Sequence, residues 1–193
     1  MDASPTFPIF GLVFLGVLAL LTVFFVGGYN SLVAMRNAVR NAWAQIDVQL
    51  KRRHDLIPNL VETVKGYAGH EKETLENVTR ARAQAVSAEG VGPTSRAEQG
   101  LSAALGRLML VVERYPDLKA NQNFLALQEE LTSTENKIGF SRQHFNDSVM
   151  LYNTKIESVP TNIIAGMFHF KPEEFFEIED EAAREAPKVT FSS

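Results

Sequence analysis

Residues 51–61, KRRHDLIPNLV, contain two anomalies whose reading decides the fold. Around them Val39, Trp43, Ile46, Leu50, Ile57, Leu60, Val64 and Tyr67 fall in one row with alternating spacings of four and three. That spacing lines one stripe of a helix, and it predicts a long helix ending at about Ala68, where Gly69 offers a stop. Arg53 occupies a place in the apolar row, and Pro58 lies inside the helix. A proline has no N–H to donate, and its ring collides with the carbonyl four residues earlier, here that of His54. The heptad phase is the same before and after Pro58, which predicts a bent but continuous helix rather than a break. The freed His54 carbonyl then needs a donor, for which Asn59 or a water is expected.

Toward the N-terminus the same helix runs into residues 9–28, IFGLVFLGVLALLTVFFVGG, which carry no charge. Twenty residues at ~1.5 Å rise span ~30 Å, the thickness of a bilayer core. A cleaved signal peptide fits poorly, because the preceding MDASPTFP has no Lys or Arg to form a basic region. Arg36, Arg40, Lys51, Arg52 and Arg53 all follow the span. Positive flanking charge stays in the cytoplasm, so the N-terminus is expected outside and the remainder inside, with Tyr29 at the headgroup level. The expected organisation is a short external N-terminus (1–8), a transmembrane helix (9–28), a helical bundle (29–160) and a C-terminal segment (161–193).

Beyond the first helix, a second is expected over 71–88 and a linker at 89–95, EGVGPTS, whose glycines and proline break the pattern. A third is expected over 96–114, burying Leu101, Leu105, Leu108, Val112 and Tyr115. In the fourth, Phe124, Gln128, Leu131, Glu135, Ile138, Arg142, Phe145, Val149, Tyr152 and Ile156 repeat the four-and-three spacing, and Pro160 ends it. The tail holds a short apolar piece around Ile163 to Phe168 and then turns acidic. Apart from a weak KVTF at 188–191, nothing alternates as a strand does. The fold class is therefore all-α, a single N-terminal transmembrane helix continuing into an antiparallel bundle of about four long helices.

If the first and fourth helices are antiparallel, with Gly66 near Gln122, Arg53 faces Glu135 and Asp47 lies close to Arg142. These four residues would form a polar layer of opposite charges within the apolar seams. Such a layer adds little stability but fixes how helices align.

The chemistry of sites is thin. There is no cysteine, which removes disulfides, thiolate metal sites and cysteine nucleophiles. The histidines at 54, 70, 144 and 169 share no i, i+3 or i, i+4 spacing and read as dispersed surface residues. Neither a P-loop nor a dinucleotide fingerprint nor a nucleophile elbow is present. No catalytic, cofactor-binding or metal-ligating residue is expected, and no cofactor. The formal charge of −4 argues against nucleic acid as a partner. KRRHD is separated from the span by ~23 helical residues, over ~30 Å, which is too far for anionic lipid and favours a protein partner.

The segments AWAQIDVQLKRRHDLIPNLVETVKGYAGHE, YPDLKANQNFLALQEELTSTENKI, FNDSVMLYN and FKPEEFF resemble the LemA family, a likeness covering more than four-fifths of the chain. The resemblance implies a bacterial membrane protein with a short external N-terminus, one transmembrane helix and a cytoplasmic antiparallel bundle. A related protein of magnetosome membranes suggests a link to organising membranes. The family brings no established catalytic residues. The expected function is a non-catalytic, self-associating scaffold of the bacterial inner membrane, held together through its bundle or its apolar C-terminal piece. An adaptor that docks a membrane protease or sensor is the alternative, and an enzyme is a remote one.

Overall fold

The apolar run and the first heptad row lie on one continuous helix, α1 (Thr6–Tyr67), which passes through Pro58 without interruption. The computed structural model describes residues 6–177, with side chains from residue 10, so KVTF and most of the acidic tail fall outside the described residues. Five further helices follow: α2 (Lys72–Ser87), α3 (Val91–Val112), α4 (Pro116–Lys119), α5 (Gln122–Glu157) and α6 (Thr161–Met167). No strand occurs among the described residues, and the all-α bundle expected from the periodicity is the observed fold.

Two boundaries differ from expectation, each for a local reason. The linker at 89–95 is shorter than its composition suggests, because α3 already begins at Val91 and Pro93 sits in its first turn, where no intrahelical N–H is required. Gly90 alone makes the reversal, at φ +86°, a region open to glycine and strained for other residues. In YPDLKANQN the chain forms the short helix α4, with Pro116 at its start. Asn121 then caps α5: its Oδ1 accepts the Phe124 N–H at 3.0 Å, while its Nδ2 donates to the Tyr67 hydroxyl at 3.0 Å.

The helices divide into two compact units, one formed by Met1–Gln45 with Ser141–Glu173, the other by Ile46–Phe140 with the segment starting at Glu174. In the second unit α1 and α5 run antiparallel, as the pairs Tyr67 with Asn121 and Arg53 with Glu135 require. Its core gathers Ile57, Leu60 and Val64 of α1, Val78 of α2, Leu101 and Leu108 of α3 and Phe124 of α5. Burial at such positions contributes ~1.5–3 kcal/mol per large side chain. Along α5 the inward row passes through Thr134, fully buried, rather than Glu135, which is exposed. The Thr134 hydroxyl is satisfied by donating to the Glu130 carbonyl at 2.7 Å. Phe176 is buried, and the Ser95 hydroxyl and Gln99 amide donate to the Glu177 carbonyl, so this part of the tail is packed.

In the first unit no residue of the most apolar stretch of α1 is buried, and the helix is long and apolar enough to cross a membrane. Further along, Trp43 packs against Phe145 with ring centroids 5.5 Å apart, and Leu32, Val39, Ala42, Val149 and Tyr152 are buried. The segment after α6 is tied to α5. The Tyr152 hydroxyl donates to the Lys171 carbonyl at 3.0 Å, and the Asn153 amide bonds the Glu173 backbone at both ends, 2.9 Å each.

Burial, with a smaller contribution from Glu173, raises the Tyr152 hydroxyl above its ordinary 10.0, against the opposing pull of Arg36 and Arg40. The folded state therefore favours the protonated phenol. Its contribution is complete below the unfolded value and is lost as pH rises through the folded one. Full-length protein unfolded with urea should lose stability above about pH 10, and Tyr152→Phe should flatten that loss. At neutral pH the same substitution should cost about 1 kcal/mol for the missing hydrogen bond. An unchanged alkaline limb in the variant would assign the loss to other groups.

Candidate functional site

Helices α1, α3 and α5 bring the two anomalies of KRRHDLIPNLV to one place. The Arg53 side chain is only 7% exposed. Its Nη1 donates to Glu98 Oε2 at 3.1 Å, and its Nη2 donates to Ser102 Oγ at 2.8 Å and pairs with Glu135 Oε2 at 3.0 Å. Glu98, itself 5% exposed, is also bonded to the adjacent His54, Nε2 to Oε1 at 2.6 Å. With the carboxylate as acceptor, the Nε2 position carries the proton. A single buried carboxylate thus takes donors from two successive residues of α1.

Pro58 belongs to the same assembly. The His54 carbonyl that it deprives of an intrahelical donor accepts Arg82 Nε of α2 at 2.7 Å. The partner is an arginine from a neighbouring helix, not Asn59 or a water as the sequence suggested. Arginine is suited to this, because its Nε–H reaches a carbonyl while the stem packs along α1.

The pairing of Arg53 with Glu135 anticipated from the register is present, but Glu135 is the exposed member, its side chain 53% open to solvent. The buried partner is Glu98, which the sequence reading missed. Its signal was available: Glu98 lies inside the expected third helix and continues the row of Leu101, Leu105, Leu108 and Val112 one step earlier, but the row was read from its apolar members alone. Asp47 is exposed on α1 and Arg142 half-buried on α5; they fall in different units. His54 is buried, contrary to the surface reading, whereas the residues at 70, 144 and 169 are exposed. His54 was misplaced because spacing tests among histidines are blind to a partner on another helix.

A cavity of about 250 Å³ opens beside Arg53 and Glu135, between Leu105 and Met109 of α3 and Leu131 of α5. His54 and Glu98 do not line it. A larger open cleft, about 760 Å³, runs along the end of α1 and α2, bordered by Val61, Glu62, Lys65, Lys72, Glu76 and Arg80. Among the described residues, no three histidine or acidic side chains converge as metal ligands would.

An apolar helix long enough to cross a membrane, continuing into an all-α bundle whose interior charges are engaged in pairs, defines the class as helical proteins with a candidate membrane span. The LemA family model matches residues 42–191, so the chain belongs to the LemA family. Protein LemA of Metamycoplasma hominis is 31% identical over 143 residues, covering 73% of this chain and 65% of that protein. Magnetosome protein MamQ 2 of Paramagnetospirillum magneticum and magnetosome protein MamQ of Magnetospirillum gryphiswaldense are each 26% identical over 188 residues, covering 84% of this chain and 68% of theirs.

Two mutational cycles test the site by urea unfolding of the full chain in detergent. Arg53→Met or Glu98→Leu alone should cost ~3–5 kcal/mol by stranding a buried charge, and the two together far less than the sum. Glu135→Leu should stay within ~1 kcal/mol because that carboxylate faces water. In the second cycle, Arg82→Met should cost ~1–3 kcal/mol by orphaning the His54 carbonyl. Adding Pro58→Ala should recover most of this, since an alanine at that position restores the N–H that the carbonyl lacked. Additive effects in either cycle would contradict the described partners.

Proposed function

We propose that this protein is a non-catalytic, self-associating scaffold of the bacterial inner membrane, anchored by residues 9–28 with the N-terminus outside and the bundle in the cytoplasm. The observation that carries the non-catalytic part of this reading is the internal pairing of the buried charges. The Arg53 guanidinium and the Glu98 carboxylate are spent on each other and on His54, Ser102 and Glu135. A general acid or nucleophile must instead face a cleft that substrate can enter. In this reading the polar layer of Arg53 and Glu135, extended to Glu98 and His54, sets helix register. The likeness to proteins named for the magnetosome supports a role in organising membranes.

Self-association is supported by apolar side chains left open on the second unit, Leu110 of α3 at 72% and Phe140 of α5 at 74% exposure. The open cleft beside α2, with acidic and basic groups on its rim, favours the adaptor as a second reading. Orientation follows from the basic residues that all come after the span.

Native mass measurement of the full chain in mild detergent should give an oligomer that Leu110→Lys with Phe140→Lys converts to monomer, with helicity by circular dichroism unchanged. A strict monomer at every concentration would reject the scaffold in favour of the adaptor. A reporter active only in the cytoplasm, fused after Ser193, should work; activity only of an exported reporter would reverse the orientation.

A further inference from the structure

The short helix α6 lies against the end of the apolar span. Ile164 and Ala165 are buried, and a Cβ placed on Gly28 of α1 would collide with Ile164 Cδ1, so the two helices are in contact at that glycine. One residue further along α1, the Tyr29 ring packs against Phe168 and Phe170, with centroids 4.7 and 5.8 Å away. His169, at φ 56°, ends α6 in a left-handed residue, and the Phe170 N–H reaches back to the Ala165 carbonyl at 2.9 Å. This Schellman-type closure turns the chain so that both phenylalanines meet Tyr29.

Another face of α6 is open. Ile163 and Met167, four residues apart, are 57% and 59% exposed, preceded by Val159 at 80%. No formal charge occurs from Val159 to Phe168. A seven-residue helix is too short to persist in water on its own, so packing at Gly28 holds it in place. Gly28 is also where the apolar run 9–28 gives way to the polar side chains of Tyr29, Asn30 and Ser31. The exposed face of α6 is therefore level with the end of the span and continuous with its lipid-facing surface.

We infer that α6 is a second membrane contact, laid in the interfacial layer of the bilayer that α1 crosses, with Val159, Ile163 and Met167 as its lipid-facing side chains. This rests on the reading of residues 9–28 as a membrane span. An interfacial element of this kind buries its apolar side chains ~5–10 Å deep at the boundary of headgroups and acyl chains. Paired with α1 at Gly28, it would fix the rotation and depth of the anchor, which a single helix leaves free.

Because the chain has no cysteine, single-cysteine variants carry one probe each. Ile163→Cys, Met167→Cys, Val26→Cys in the span and Val86→Cys on exposed α2 would be labelled with an environment-sensitive fluorophore. The labelled full-length proteins would be reconstituted in phosphatidylcholine vesicles with or without a lipid carrying a nitroxide near the headgroup end of its acyl chain. Labels at 163 and 167 should emit at shorter wavelength than the label at 86 and lose at least half their intensity to the nitroxide lipid, as at 26. Water-like, unquenched emission at 163 and 167 with quenching at 26 would overturn the inference while leaving the span intact. Blue-shifted but unquenched emission would assign the face to a second copy of the chain and overturn it too. Absence of quenching at 26 would reject the membrane span, and the inference with it. Circular dichroism of each variant against the parent excludes misfolding as the cause.

Discussion

The Glu98 carboxylate is the constraint on which the second unit depends. It is buried on α3, and its two oxygens are held by two consecutive residues of α1, Arg53 at 3.1 Å and His54 at 2.6 Å. Apolar contacts between two helices tolerate a slip of one heptad, because leucine-like side chains recur at the same places. A carboxylate does not, since moving it by one turn leaves it buried without a donor at a cost of several kcal/mol. Arg53 extends the constraint to α5 through Glu135 and holds Ser102 of α3 as well. One side chain thus couples three helices whose apolar rows would otherwise be interchangeable.

Pro58 adds a second constraint of the same kind. It creates a need in α1, an unmatched carbonyl at His54, that only the neighbouring helix meets, through Arg82 at 2.7 Å. Residues 53, 54 and 58 therefore bind α1 to α3, α5 and α2 within two helical turns. That density of specific contacts explains why a proline and charged side chains persist in a stretch where an unbroken apolar stripe would satisfy helix formation alone.

The four-and-three spacing made the long helices and the antiparallel pairing of α1 with α5 legible, because burial of one stripe demands that period regardless of what covers it. Arg53 and Glu135 were placed together for the same reason. What stayed hidden were interactions set by a third helix. Glu98 and Arg82 are ordinary in their own segments, and only tertiary packing brings them to Arg53 and to the His54 carbonyl. The short apolar piece around Ile163 to Phe168 was legible, but seven helical residues carry too little periodicity to reveal a partner, and the fit to Gly28 depends on the absence of a side chain there.

In this account the interior charges are devices of alignment. The most direct test measures alignment rather than stability. Spin labels at Val48→Cys of α1 and Lys137→Cys of α5, both in the second unit, report the axial offset of the two helices by pulsed dipolar spectroscopy. The parent should give a single narrow distance. With Arg53→Met, His54→Leu and Glu98→Leu together, the account predicts a broadened or second distance, consistent with a slip of about one heptad, ~10 Å along the axis. The same single narrow distance in the apolar variant would contradict it, leaving packing alone as the source of register.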